Sequence, residues 1–365
     1  MYKNHPNDQP TQADTLKRFK RFAECLAVAG AERGVIYDLP RREYKFVPSV
    51  LCDILTQHDG KTVADLKHIY NPQNTPQFNT LIDEYIDFLL QHDYIFWCDE
   101  EDLELFPDID LHWDAPHHIT NIIIDIDANS RHDWVSIVEQ VQQLNCQHLQ
   151  IRSFVPQTLS FYDQVLSHFL TSVVRSVEII TAYSPDTAVE AIQQLIQKHL
   201  RIRSFIQHTS PQYELQVESE NGMGHIAKVT DCIRSANDCH IIDHGYFTVN
   251  IQLFTEAQHH HTYYNRKLGI DAQGNIKNCP SLTPSFGNIN DPNINLKQIA
   301  QTPEFQRLWH IKKDETAICK DCEFRYMCVD SREPYLGNDG LYHHHTPCPY
   351  NPYTMTWEND DTNKL

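Results

Sequence analysis

Five of the eleven cysteines lie between positions 279 and 348, and three of those fall within ten residues. They read Cys319-x2-Cys322-x5-Cys328, followed by Cys348. Two thiolates separated by two residues can both reach one metal, because the turn between them keeps the sulfurs close. Four thiolates suit a tetrahedral zinc or an iron–sulfur cluster, and ligand type alone leaves both open. Cys279 stands apart, at the end of the stretch Leu268-Gly-Ile-Asp-Ala-Gln-Gly274-Asn-Ile-Lys-Asn-Cys279, which reads as a hairpin. The remaining six, Cys25, Cys52, Cys98, Cys146, Cys232 and Cys239, are scattered and read as small buried hydrophobes.

Other chemistry-bearing residues are weaker signals. Histidine is abundant, at 22, with runs at His259-His260-His261 and His343-His344-His345. Both runs read as solvated loops, although an imidazole just before Cys348 could donate to a metal-bound sulfur. Asp330 and Arg332 flank the cysteine loop and either brace it or bind a peptide carboxylate. Gly222-Met-Gly224-His225 reads as an ordinary turn. No phosphate-binding loop and no dinucleotide fingerprint occurs.

These residues need elements to position them. Residues 15–98 read as strands at Phe19–Val28, Gly34–Leu39 and Glu43–Val47, then helices at Pro48–Gln57, Thr62–Tyr70 and Phe78–His92. In the last helix Leu81, Tyr85, Phe88 and Leu89 recur at helical spacing. Three strands followed by three helices suggest a winged-helix-like domain over 1–98. Residues 99–117 form a linker whose 99–114 portion holds eight acids and no base. Residues 118–255 alternate apolar strands and amphipathic helices, with strands at Asn121–Asp127, Leu149–Phe154, Val177–Ala182 and Ile202–Gln207. The step of about 27 residues is that of a right-handed βαβ crossover. A helix over Ile226–Ser235 and strands near Ile241 and at Phe247–Leu253 extend the series to five or six units, a partial parallel barrel. Residues 256–365 are loop-rich, with one helix over Leu296–Trp309, and such a segment needs a staple to hold its fold.

Composition sets the outer limits. The chain has 365 residues, enough for two or three domains, and 41% apolar residues argue against global disorder. A net charge of −19 speaks against nucleic acid and anionic membranes as partners. No apolar run reaches transmembrane length, and Met1–Asp14 lacks the apolar core of a signal peptide, so a cytoplasmic protein is expected. There the thiols read as free, not as disulfides.

Gly274-x4-Cys279 together with Cys319-x2-Cys322-x5-Cys328 and Cys348 resembles the SPASM domain, the auxiliary-cluster module of radical S-adenosylmethionine peptide-modifying enzymes. Cys319, Cys322, Cys328 and Cys348 match the four positions that hold the second auxiliary [4Fe–4S] cluster of that family. Two positions depart from the pattern. The cysteine expected ahead of Gly274 is missing, where His259–His261 and Tyr263 stand, and Arg332 occupies the Cys-x3-Cys partner position. The resemblance therefore implies one cluster, with Cys279 the remnant of an absent site. Those enzymes also carry C-x3-C-x2-C after the first barrel strand, but here that loop is Ala128-Asn-Ser-Arg-His-Asp133. A cofactor-binding motif for S-adenosylmethionine is thus absent, and no radical activity of its own is expected.

The whole pattern is similar to the SPASM-domain peptide maturase of grasp-with-spasm systems. That resemblance implies two partners, a precursor peptide with a leader and an ATP-grasp ligase that links side chains. It also implies leader binding along the third strand, Glu43, Tyr44, Lys45, Phe46 and Val47, and the third helix, with Leu81 and Tyr85, by strand addition. The implied function is a maturation factor for ribosomal peptides. A catalytic peptide-modifying iron–sulfur enzyme and a zinc-stapled scaffold are the alternatives.

Overall fold

The computed structural model describes residues 17–112, 114–217, 224–239, 242 and 244–358, with backbone alone at 216, 217 and 239. The readings made for Met1–Asp14, Gly222, Ile241 and the Cys239 side chain lie outside the described residues.

The N-terminal unit begins with β1 (Arg18–Arg21) and β2 (Cys25–Ala29), followed by β3 (Gly34–Asp38) and β4 (Glu43–Val47). One strand was expected over Phe19–Val28, but the chain turns after Arg21. The half-extended turn is closed by the Cys25 N–H donating to the Phe22 carbonyl at 2.9 Å. The buried Arg21 guanidinium donates to the carbonyls of Phe22, Ala23 and Cys25 and so fills the turn. β2, β3 and β4 form an antiparallel meander, with β4 at one edge.

Helices α1 (Ser49–Gln57), α2 (Val63–Tyr70) and α3 (Pro76–Gln91) follow. Thr62 and Asp65 make a reciprocal capping box on α2, and Pro76 opens α3, where a missing N–H costs nothing. The buried stripe of α3 is Ile82, Ile86 and Leu89, so of Leu81, Tyr85, Phe88 and Leu89, read at helical spacing, only Leu89 is fully buried. Leu81 is therefore turned outward and exposed, and Tyr85 is half-buried. A strand the pattern did not suggest, β5 (Ile95–Cys98), pairs with β1. Beyond it the acidic stretch clamps the surface through ion pairs from Arg18 to Glu100, Arg21 to Asp108 and Arg266 to Asp114.

The central sheet takes β6 (Asn121–Ile126), β7 (His148–Ser153), β8 (Ser176–Ala182) and β9 (Ile202–His208) in parallel, joined by helices α4 (Trp134–Gln143), α5 (Leu159–His168) and α6 (Val189–Lys198). The edge beyond β9 is a hairpin of β10 (Glu214–Val217) and β11 (His225–Lys228), with β11 parallel to β9. The expected helix over Ile226–Ser235 is therefore a strand at its start, because buried Ile226 and Ala227 continue the sheet. The expected strand over Phe247–Leu253 is instead α7 (Ile251–Ala257), capped by the Asn250 side chain, which accepts from the Leu253 N–H.

After α7 the chain returns to the sheet. β12 (Lys267–Ile270) lies parallel beside β6, and β13 (Ile276–Lys277) closes the predicted hairpin. The mixed sheet has eight strands in the order β10-β11-β9-β8-β7-β6-β12-β13. Helix α8 (Leu296–Ala300) stops at Thr302-Pro303, so the helix expected to Trp309 resumes only as a short turn at Phe305–Leu308. Small hairpins of β14 (Pro334–Leu336) with β15 (Tyr342–His344), and of β16 (Tyr350–Asn351) with β17 (Thr356–Trp357), finish the chain.

Strand alternation gives the central sheet two unlike faces. One face, with Ile122, Ile124, Ile151, Ile179 and Leu268, packs in the main apolar core. Each such side chain contributes roughly 1.5–3 kcal/mol on burial. The other face carries polar groups. Buried Asp125 and Arg152 form a bidentate pair at 2.6 and 2.9 Å. Lys267, 7% exposed, sets its ammonium 3.2 Å from the centroid of the Tyr263 ring. Among the described residues, no helix is long and apolar enough to cross a membrane.

Candidate metal centre

The four clustered cysteines are placed by short turns. The chain enters through Ile318 at φ 68, a costly conformation for a β-branched residue. A single turn then sets Cys319 and Cys322 on one side, with the Cys322 N–H donating to the Cys319 carbonyl at 3.0 Å. A second turn brings in Cys328, whose N–H donates to the Phe324 carbonyl at 3.0 Å. Cys348 arrives just before β16. All four line one cavity of about 30 Å³, which suits an inorganic group and is far too small for a peptide.

The cavity walls carry a specific charge pattern. Asp330 is 1% exposed and pairs with the buried Lys313 ammonium at 2.8 Å and the Arg332 guanidinium at 2.7 Å. Burial would raise the Asp330 carboxyl, but the two cations hold it well below the usual range. Burial likewise opposes the Lys313 charge, which Asp330 outweighs. Two cations and one carboxylate leave a net positive charge beside the sulfurs, and thiolates bound to a metal would balance it. Without a metal, burial pushes the Cys328 thiol up to about 12 and raises those of Cys319, Cys322 and Cys348. Metal binding at this site must therefore displace protons. The donor set and its charged wall fit a thiolate-held metal group. Arg332 also donates to the Thr346 carbonyl at 2.6 Å, so it braces the loop.

The histidine run before Cys348 is not a solvated loop. His343 pairs with Asp339, His345 stacks on Tyr335, and the His344 side chain is only 6% exposed. Donor atoms of Cys319, Asp330 and His344 lie within 4.8 Å of one another, a set with the makings of a metal site. Burial pushes the His344 imidazole down to about 4, with Asp330 opposing, so the ring is neutral near pH 7. In the earlier run, buried His261 accepts from the N–H groups of Tyr263 and Tyr264, and the His260 ring sits against that of His310.

Cys279 lies elsewhere, buried in a separate apolar cluster with Tyr264, Leu282, Leu308 and Ile311. Its sulfur is 3.5 Å from the Tyr263 hydroxyl and 3.3 Å from Ser281 Oγ. Of the scattered cysteines, Cys25, Cys52, Cys98 and Cys146 are buried, but Cys232 is exposed and accepts from Arg234 Nε at 3.3 Å. The loop after β6 is a closed turn, tied by Ser130 Oγ donating to the Ala272 carbonyl at 2.7 Å.

The centre is joined to the N-terminal meander. Glu323, 1% exposed and next to Cys322, accepts from Arg33 Nε at 2.8 Å and from the Tyr350 hydroxyl at 2.6 Å. The Tyr37 hydroxyl donates to the Glu323 carbonyl, and Arg325 donates to the Ala29 carbonyl. Phe324 packs edge-on against Tyr44 and Phe46 of β4. On that strand Glu43, Lys45 and Phe46 are exposed, and Val47 is buried in the N-terminal core. Lys313 and Glu323 were not singled out by the sequence, whereas His344 lay in the run flagged ahead of Cys348. Only the place of Glu323 inside the cysteine spacing could have flagged it.

No family model matches this sequence, and no curated protein does either. Two crystal structures of SuiB from Streptococcus suis, one of them bound to S-adenosylmethionine, cover 85% of this chain and 94% of their own. Their identity to this chain is 9%, with TM-scores of 0.29 and 0.30, a weak likeness of fold on which nothing further is built.

Proposed function

We propose that this chain is a maturation factor for ribosomal peptides, which presents a precursor to an ATP-grasp ligase and holds one [4Fe–4S] cluster through Cys319, Cys322, Cys328 and Cys348. The observation that carries the reading is the convergence of these four cysteines on one charged cavity, whose wall also packs on β4. The C-terminal segment is then a SPASM-like domain and the N-terminal unit a winged-helix-like recognition domain.

The cluster staples a loop-rich segment and, with four thiolates around it, offers no open iron to a substrate. The chain's own residues do the rest. Lys313 and Arg332 balance the charge of the centre, and Glu323 ties its loop to the meander. β4 keeps one backbone edge unpaired among the described residues, where a leader peptide adds as a further strand. Leu81 and Tyr85 on α3 supply apolar side chains for the leader. The role is presentation, because the sequence lacks the C-x3-C-x2-C motif that would hold a cofactor-binding cluster.

The test is a fluorescence titration of the full chain with the labelled leader of a grasp-with-spasm precursor peptide taken from its gene neighbourhood. Saturable binding is expected, and a flat titration rejects the presentation role.

A further inference from the structure

His344 is the least explained buried group next to the centre. Neither ring nitrogen makes a well-formed hydrogen bond, although the side chain is only 6% exposed, and the nearby Glu333 backbone offsets its burial only in part. Leaving a buried donor unsatisfied costs roughly 1–3 kcal/mol, so native structures seldom tolerate it without a reason. Strand pairing of Pro334 with His344 holds the ring in place, and its Nε2 lies 3.4 Å from Asp330 Oδ2. Asp330 is already engaged by Lys313 Nζ, by Arg332 Nε and Nη2, and by the Arg332 N–H. It is thus an anchor for cations, and a metal would have to strip those bonds to use it.

The other metal-ligating side chain grouped with the ring is Cys319, whose sulfur lies within 4.8 Å. The four cysteines lining the cavity already complete a ligand set, so a fifth ligand is not required. We propose that His344 donates an N–H hydrogen bond to the sulfur of the metal group at Cys319 and thereby raises its reduction potential. A donor aimed at a metal-bound sulfur stabilises the reduced, more negative state over the oxidised one. His344 is a positioning residue here. The inference rests on the cluster reading above and deepens it.

The experiment uses the full chain, purified without oxygen, as wild type, His344→Leu and His344→Gln. Iron and sulfide are quantified first. A wild type without iron rejects the cluster reading, and the hydrogen bond falls with it. With iron present, a dye-mediated redox titration should place His344→Leu at a lower midpoint than wild type, and His344→Gln, which keeps an N–H donor, should recover most of the loss. Pulsed electron paramagnetic resonance of reduced wild type labelled with 15N-histidine should show one weak nitrogen coupling. This second readout does not depend on either variant folding. An unchanged midpoint in His344→Leu, or no nitrogen coupling in wild type, overturns the proposal. A strong coupling with iron lost from His344→Leu overturns it too, because the ring would then be a ligand.

Discussion

A buried charge without a partner carries a cost that can be measured one residue at a time. Lys267 meets the Tyr263 ring and no carboxylate among the described residues, and burial pushes its ammonium down to about 8. The unfolded chain, near the ordinary 10.5, binds the proton more tightly, so stability rises with pH between those values. Below about pH 8 the penalty is complete, roughly 3 kcal/mol at about 1.4 kcal/mol per pK unit. Lys267→Met should therefore raise stability by up to that amount at pH 7, and the gain should vanish near pH 10.5. Urea unfolding across that range checks it, and a pH-independent gain refutes the burial argument. At the cysteines, the Cys319→Ala/Cys322→Ala double variant should lose the proposed metal and lower the unfolding temperature, since binding a metal in a loop-rich segment couples to its folding. A full metal complement in that variant would show the ligand set to be wrong.

The elements tell a different part of the account. Glu323 sits where the cysteine loop meets the N-terminal meander, and its carboxylate accepts from both Arg33 and Tyr350. Glu323→Ala would strand a buried hydroxyl and a guanidinium, costing about 2–4 kcal/mol. Hydrogen exchange should show β2–β4 amides opening faster in that variant and, equally, on metal removal from the wild type. Protection unchanged in both would deny the coupling. Much of this scale was legible beforehand. Regular apolar runs such as Asn121–Ile126 and Ser176–Ala182 gave the parallel strands, and Gly274 gave the hairpin turn. The failures share a cause, a tertiary or capping interaction that periodicity does not encode. Asn250 caps a helix where Phe247–Leu253 read as a strand, Arg21 fills a turn within an apolar run, and β5 is too short to show a period. At the site, the cysteines were visible by spacing and the histidine run by its place before Cys348, whereas Lys313 was not, because only the folded loop brings it beside the sulfurs.

At the scale of the molecule, the N-terminal unit and the cysteine-bearing C-terminal segment share apolar surface. Val28, Val35 and Tyr37 of the meander lie in one cluster with Phe324, Met327 and Tyr350 of the metal segment. A leader peptide added to β4, as proposed, would rest on a platform backed by Phe324 of the cysteine loop. Leu81→Glu, at an exposed position, should leave stability within about 0.5 kcal/mol yet weaken leader binding tenfold, or about 1.4 kcal/mol. Unchanged affinity would remove α3 from the binding surface. The central claim, that four cysteines hold an iron–sulfur cluster, is tested most directly by purifying the full chain without oxygen and measuring its absorption spectrum with its iron, sulfide and zinc. The account predicts a brown protein with about four iron and four sulfide per chain. A colourless protein with one zinc would contradict it.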